Sequence, residues 1–147
     1  MLKSFGAGVF VLLVSGSAAL ADSMCGDPPI PPSIPTVAEM RAKAPADAEA
    51  AKHSAFEDIR RWQGELKSYR DCLNATVDTD RRKVFESQRA DKPDKDKIAR
   101  LQAEIDYSNH AYDRSVDDEE RTVNMFNAAS VAYCQRTDVD RASCPKR

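Results

Sequence analysis

The chain has 147 residues and a formal net charge of −2, and 31% of its residues are charged. Basic and acidic side chains are interleaved along it, so it lacks the basic face that a general nucleic-acid binder needs. We therefore predict no nucleic-acid partner. Large apolar residues are scarce, which favours a narrow buried seam over a thick globular core.

Residues 1–21 have the pattern of a secretory signal peptide. Lys3 supplies the positive charge, residues 9–14 form a short apolar run, and Ala19 and Ala21 form a small-x-small cleavage site. The run is shorter than the roughly 20 residues that a membrane span needs. No second apolar run follows, so we predict a periplasmic or secreted protein that does not insert into the membrane after cleavage.

Residues 22–46 are predicted to form a proline-rich arm and a short helix. The segment 25–35, CGDPPIPPSIP, contains five prolines, which favour an extended backbone. A proline-rich recognition peptide is the alternative interpretation. Thr36 and Glu39 have the spacing of a capping box and predict a helix start there, and Pro45 should end that helix. Asp47 is predicted to cap the next helix.

Residues 47–147 are predicted to form a helical hairpin domain with a disulfide-looped C-terminal tail. Its first helix, over residues 47–91, has a heptad seam that Val77 and Val84 extend. The stretch 74–80 is poor in strong helix formers, so a break near Asn74 would give three helices instead. The seam residues are Ala55, Ile59, Trp62, Leu66, Tyr69 and Leu73.

The polar segment 90–97 predicts a chain reversal, and Pro93 suits the first turn of a new helix. The second helix is predicted to extend from about this point over residues 94–135. The two helices have similar lengths, so the predicted fold is an all-α antiparallel helical hairpin. The apolar stripe of the second helix drifts like an eleven-residue repeat, which predicts slight supercoiling. Its members are Ile98, Leu101, Ile105, Tyr112, Val116, Val123 and Phe126.

The four cysteines predict two disulfides in an exported chain, with three connectivities open. Cys72 lies about 37 Å along the first helix from its predicted start, by helical rise. An extended arm from Cys25 reaches about 65 Å, so we predict that Cys25 pairs with Cys72. Cys134 and Cys144 then pair and close the C-terminal tail into a loop. A reactive Cys72 thiol is the alternative, but the chain has no C-x-x-C motif.

The order of these motifs resembles that of a group of small, uncharacterised secreted or periplasmic helical proteins of proteobacteria. The resemblance depends on the N-terminal Cys25, the proline-rich arm, the Y-x-x-C-L motif at Tyr69 to Leu73, and a late helix with V-D-D-E followed by F-N-A-A. It implies a helical fold and supports the Cys25–Cys72 pair. It implies no activity, and Cys134 and Cys144 are an addition to the group's pattern.

No catalytic, cofactor or metal-binding constellation is predicted. His53 and His110 lie on different helices, and neither has the i, i+4 partner of a zinc-binding helix. The acidic run 117–120 is interpreted as a solvated helix face rather than as paired catalytic carboxylates. Asn74 fits the N-glycosylation pattern, which would be inert in a bacterial chain. Four aromatic residues with helical spacing are interpreted as packing residues: Trp62, Tyr69, Tyr112 and Phe126.

These patterns favour a non-enzymatic protein-interaction or structural module of the cell envelope. Two thin amphipathic helices leave apolar surface for a further helix, so the expected partner is another protein or a second copy of the chain. One alternative is an inhibitor or immunity-type protein that binds a toxin or an envelope hydrolase. A metal-dependent enzyme that uses His53 and His110 is the other alternative.

Overall fold

The computed structural model describes residues 24–144, so the predicted signal peptide lies outside the described residues. The described chain is an all-α fold without strands, as predicted. Helix α1 spans Val37–Ala42, α2 spans Pro45–Arg89, α3 spans Lys95–Cys134, and a short 3₁₀ turn follows at Arg141–Ser143. Helices α2 and α3 pack against each other as the predicted antiparallel hairpin.

The capping box at the start of α1 is confirmed. The Glu39 amide donates to Thr36 Oγ1 at 3.2 Å, and the Thr36 amide donates to the Glu39 carboxylate at 2.7 Å. The prediction that Asp47 caps α2 is wrong, because α2 begins at Pro45 with Ala44 as its N-cap. Proline suits the first helical position, since its φ is already helical and its missing N–H would have no intrahelical partner. Asp47 lies in the first turn instead, where its negative charge interacts favourably with the positive end of the helix dipole and so stabilises α2.

Helix α2 is continuous through Asn74, so the predicted alternative of a break there is wrong; the third helix of the fold is the short α1. Buried Val77 and Asp80 continue the seam beyond Leu73. Tertiary packing of this face therefore outweighs the weak helix propensity of the segment. The predicted seam is confirmed, since all of its members are buried: Ala55, Ile59, Trp62, Leu66, Tyr69 and Leu73.

Gly64 lies on the exposed surface of α2, and a Cβ atom placed there would meet nothing within 4 Å. Replacing it with alanine is expected to raise the free energy of unfolding by about 1 kcal/mol, because glycine loses more backbone entropy in a helix. Urea denaturation followed by circular dichroism measures the change. Gly26, with φ +70, is the matched control. Gly26→Ala should destabilise the protein, and stabilisation by both substitutions would contradict the argument.

The reversal between α2 and α3 occupies residues 90–94, within the predicted segment. Asp94 is the N-cap of α3 and accepts a hydrogen bond from the Lys97 amide at 2.9 Å. Pro93 precedes this cap, so its prediction in the first helical turn is wrong by two positions. The restricted backbone of Pro93 still sets the entry into the new helix.

The face that α3 buries against α2 differs from the predicted apolar stripe. Five of the eight buried positions of α3 are spaced seven residues apart and do not show the predicted eleven-residue drift, and four of these five are small or carry a hydroxyl group: Leu101, Ser108, Ser115, Thr122 and Ala129. The other three buried positions are Ala111, Ala132 and Tyr133. Of the predicted stripe only Leu101 is buried, and Val116 is 41% exposed. The reason is volume: the large α2 side chains fill the space between the helices, so the facing positions on α3 must be small.

Both predicted disulfides are present, and the described residues include no free cysteine. The Cα atoms are 5.7 Å apart in the Cys25–Cys72 pair and 5.8 Å apart in the Cys134–Cys144 pair. The arm between Cys25 and α1 runs along α2, where the Pro29 carbonyl accepts a hydrogen bond from Trp62 Nε1 at 3.1 Å. Ile34 at the end of the arm is buried in the core with Met40.

The helices among residues 24–144 are too polar to cross a bilayer: none contains a sufficiently long apolar window.

Candidate interaction face

The buried seam of α2 has two flanks, and they have different neighbours. Arg70 and Cys72 are two residues apart, which places them about 200° apart around the helix and therefore on opposite flanks. The Cys72 flank holds the arm through the Cys25 disulfide and a 3.6 Å contact between Cys25 Sγ and Thr76 Oγ1. The Arg70 flank faces α3 instead. We call this side of the hairpin, away from the arm, the open face.

A polar network joins the two helices at the middle of the open face. The Arg70 guanidinium donates to Glu119 Oε2 at 2.6 Å, to Ser115 Oγ at 2.8 Å and to the Ser115 carbonyl at 2.7 Å. Gln63 donates to the other Glu119 oxygen at 2.7 Å. The prediction of a solvated acidic face is therefore wrong for Glu119, which is partly buried and paired. This network fixes the register of α2 against α3, because one arginine contacts two successive turns of α3.

The network makes the stability of the hairpin depend on pH. Burial raises the pKa of Glu119, but the hydrogen bonds from Arg70 and Gln63 and the arginine charge outweigh burial, so the pKa lies below its usual 4.5. A lowered folded-state pKa contributes stability above the unfolded-state pKa, and that stability is lost as the pH falls through the folded-state value. We expect the difference in unfolding free energy between the wild type and Glu119→Gln to shrink as the pH falls below about 4.5.

Urea denaturation of both proteins, from neutral pH down to about pH 2, measures this difference. Glu39 and Asp138 also have pKa values lowered by hydrogen bonds, but they titrate in both proteins, so the comparison isolates Glu119. A difference that stays constant over the whole range would contradict the assignment.

A half-exposed apolar stripe runs along the open face on both sides of the network. Its α3 members repeat every seven residues, and Glu119 is the polar member of the repeat Ile98, Ile105, Tyr112, Glu119 and Phe126. Val116 and Val123 lie beside this repeat, and Phe56 of α2, 47% exposed, meets Phe126 with ring centroids 6.0 Å apart. We call the seven apolar side chains of this set the apolar stripe: Phe56, Ile98, Ile105, Tyr112, Val116, Val123 and Phe126.

At the end of the stripe nearest the Cys134–Cys144 disulfide lies a groove of about 390 Å³. Phe56 and Phe126 line it together with Lys52 and Ser130. The hydroxyl oxygen of Ser130 is buried, and no described residue makes a hydrogen bond with it. Burial lowers the pKa of Lys52, whose ammonium lies 4.9 Å from the centroid of the Tyr133 ring. The groove is open and mainly apolar, which suits the side chain of a partner protein.

The candidate metal ligands lie far apart. His53 lies at the groove, 3.7 Å from the Glu57 carboxylate, and its side chain is 71% exposed. His110 is exposed on α3, sixteen residues from Phe126 and therefore about 24 Å along the helix from the groove. Within residues 24–144, no group of three or more histidine, cysteine, aspartate or glutamate side chains has metal-binding geometry.

No family model, curated protein or solved structure matches this chain. The resemblance to small secreted or periplasmic helical proteins of proteobacteria therefore stays a prediction.

The four aromatic residues predicted as packing residues divide between the core and the open face. Trp62 and Tyr69 are buried in the seam, as predicted. Tyr112 and Phe126 are only half-buried and belong to the apolar stripe, with the Arg70 guanidinium 5.7 Å from the centroid of the Tyr112 ring. The sequence does contain a signal for the Arg70 network, because Glu119 interrupts an apolar seven-residue repeat on α3. Such an interruption indicates a polar partner on the facing helix.

Proposed function

We propose that this protein is an exported, non-enzymatic interaction module of the cell envelope, and that it binds a partner protein through the open face. The observation that carries the proposal is the apolar stripe, which extends over about 42 Å of α3 by helical rise. The stripe is interrupted at Glu119, and its apolar side chains on both sides of that residue are partly exposed. Exposed apolar patches on soluble proteins are typical of protein-binding surfaces.

The chemistry of the open face supports protein binding. The stripe forms an apolar centre, and charged side chains such as Arg60, Lys67 and Glu120 form its exposed rim. An apolar centre with a polar rim is the usual anatomy of a protein interface. The Arg70 network joins α2 and α3 at the middle of the face, and a face ordered before binding lowers the entropy that binding costs.

Export to the periplasm or beyond is supported by two independent features. Residues 1–21 have the pattern of a signal peptide, and the four cysteines form two disulfides, which persist in oxidising compartments. Fractionation of cells that express the tagged chain tests this part of the proposal. Recovery in the cytoplasm with reduced cysteines would contradict it.

Site-specific photo-crosslinking in the native envelope tests the binding face. A photoreactive amino acid at Val116 lies within the stripe, whereas the same group at the exposed Ala103 lies about 140° away around α3. We expect a crosslinked protein product from position 116 and none from position 103. Absence of a product at position 116, or equal products at both positions, would overturn the proposal. A captured toxin or hydrolase would indicate the inhibitor type of module.

A further inference from the structure

We propose that the flank of α2 beneath the arm is a binding site for proline-rich segments, that the arm is its built-in ligand, and that opening the Cys25–Cys72 disulfide admits a proline-rich segment of another protein. The site lies on the side of the hairpin away from the open face, so the inference goes beyond the proposed function. Three features carry it: the conformation of the arm, the groups beneath it and the placement of the disulfide.

The arm has the sequence and the burial pattern of a polyproline II helix. Each of its prolines fixes its own φ and restricts the residue before it to extended backbone. Over residues 28–33 the order exposed, half-buried, exposed occurs twice, and this period of three is that of polyproline II. The half-buried members are Pro29 and Pro32. One edge of the arm therefore lies on the hairpin, as in a bound proline-rich ligand.

The flank of α2 supplies the groups that such a segment needs. A proline-rich segment has few N–H groups, so donors of the protein that binds it have to satisfy its carbonyl oxygens. Trp62 Nε1 does so for the Pro29 carbonyl, at 3.1 Å. Tyr69 lies seven residues further along the same side of α2, and Cys25 packs against the cluster that Tyr69 forms with Leu73. Aromatic residues line the grooves in which proline-rich segments are bound.

The arm follows α2 in the opposite chain direction, over a similar length. The helix rises about 15 Å between Trp62 and Cys72. Four residues of polyproline II, from Cys25 to Pro29, rise about 12 Å. The disulfide holds one end of this stretch, and the Trp62 hydrogen bond holds the other. A straight proline-rich segment of this length therefore fits the flank.

The disulfide decides whether another segment can replace the arm. While the Cys25–Cys72 bond is closed, the arm is tied to α2 at one end and, through the buried Ile34, to the core at the other. An external dithiol opens the bond by exchange: the dithiol is oxidised to a disulfide, and Cys25 and Cys72 each gain one electron and one proton. The opened arm competes only at the effective concentration of a short tether, which is about millimolar. A proline-rich segment above that concentration then displaces it.

Reduction in the presence of a proline-rich peptide tests the site on the wild-type chain. The probe is a peptide with the sequence of residues 26–35, and its matched control has all five prolines replaced by alanine. The protein is equilibrated in a buffer of reduced and oxidised dithiothreitol, free thiols are alkylated, and mass spectrometry gives the open fraction of each disulfide.

We expect the ratio of open to closed Cys25–Cys72 to rise linearly with the concentration of the proline peptide, because this peptide binds only the open form. The ratio should double at the apparent dissociation constant of the peptide. The alanine peptide should leave the ratio unchanged. The Cys134–Cys144 bond is the internal control and should respond to neither peptide.

Nuclear magnetic resonance locates the bound peptide. Trp62 is the only tryptophan in the chain, so its indole N–H resonance reports directly on the site. We expect the proline peptide to shift this resonance in the variant with Cys25→Ser and Cys72→Ser, and to leave it in place in the oxidised wild type. The reduction experiment uses only the natural chain, so it decides the question even where the double variant does not fold.

An unchanged ratio with the proline peptide, an equal rise with the alanine peptide, or an equal rise at Cys134–Cys144 would overturn the inference. A shift of the Trp62 resonance in the oxidised wild type would overturn control by the disulfide. These outcomes are separate from the photo-crosslinking result at position 116, which concerns the opposite side of the hairpin.

Discussion

Replacing Cys25 and Cys72 together by serine is expected to lower the free energy of unfolding by about 4 kcal/mol, because the disulfide closes a loop of 47 residues. The cost arises mainly in the unfolded chain, which gains the conformational freedom that the covalent link removes. In the folded chain the arm also loses its anchor, so the hydrogen bond between Trp62 and the Pro29 carbonyl should open more often.

Two measurements separate these effects. Urea denaturation gives the change in stability, and the fluorescence of Trp62, the only tryptophan in the chain, reports whether the arm stays docked on α2. The matched control replaces Cys134 and Cys144 by serine, where the loop of 10 residues predicts a loss of about 2.7 kcal/mol and no change in Trp62 fluorescence. An equal loss from both double variants would contradict the dependence on loop length.

Trp62→Ala is expected to cost about 3–5 kcal/mol, the usual range for removing a fully buried large aromatic side chain. Trp62 is 3% exposed and lies in the middle of the α2 seam. It also donates to the arm, so its removal leaves a cavity in the buried seam and takes away the donor that the Pro29 carbonyl uses.

Trp62→Phe is the matched control, because phenylalanine keeps most of the apolar volume and removes the Nε1 donor. We expect it to cost less than the alanine variant and to include about 1 kcal/mol for the lost hydrogen bond. Thermal unfolding followed by circular dichroism compares the two variants. If Trp62→Phe were as destabilising as Trp62→Ala, the hydrogen bond to the arm rather than packing would dominate at this position.

The fold was predictable because its main signals are local or covalent. The α2 seam consists of large apolar residues at heptad spacing, and these were all buried as expected. The Thr36 capping box and the cysteine pairing followed from spacing and from the reach of an extended arm. Such features depend on a few neighbouring residues or on chain length, so a single sequence contains them in full.

The face of α3 that contacts α2 was not predictable from apolar periodicity. Apolar periodicity gives weight to large side chains such as Val116 and Val123, whereas close packing against the large seam residues of α2 selects small residues at the contact. Ser108 and Ser115 therefore occupy buried positions, and the larger residues lie beside them on the open face. Apolar periodicity also places the α3 residues of the apolar stripe in the predicted core, so it does not reveal the candidate site.

The Arg70 network could not be derived from the sequence because it depends on register. Arg70 and Glu119 are 49 residues apart in the chain, and a shift of α3 by one turn would give the arginine a different partner. Only the interruption of an apolar repeat by Glu119 indicated a polar contact, and that interruption does not identify the donor.

Both disulfides join cysteines that are neighbours in the order of the chain, Cys25 with Cys72 and Cys134 with Cys144. A chain that enters an oxidising compartment N-terminus first presents its thiols in that order. An oxidase that couples each newly arrived thiol to the one before it would therefore form the native bonds directly. Maturation of this protein should then proceed at a normal yield in cells that lack a disulfide isomerase, because no mispaired intermediate has to be reshuffled.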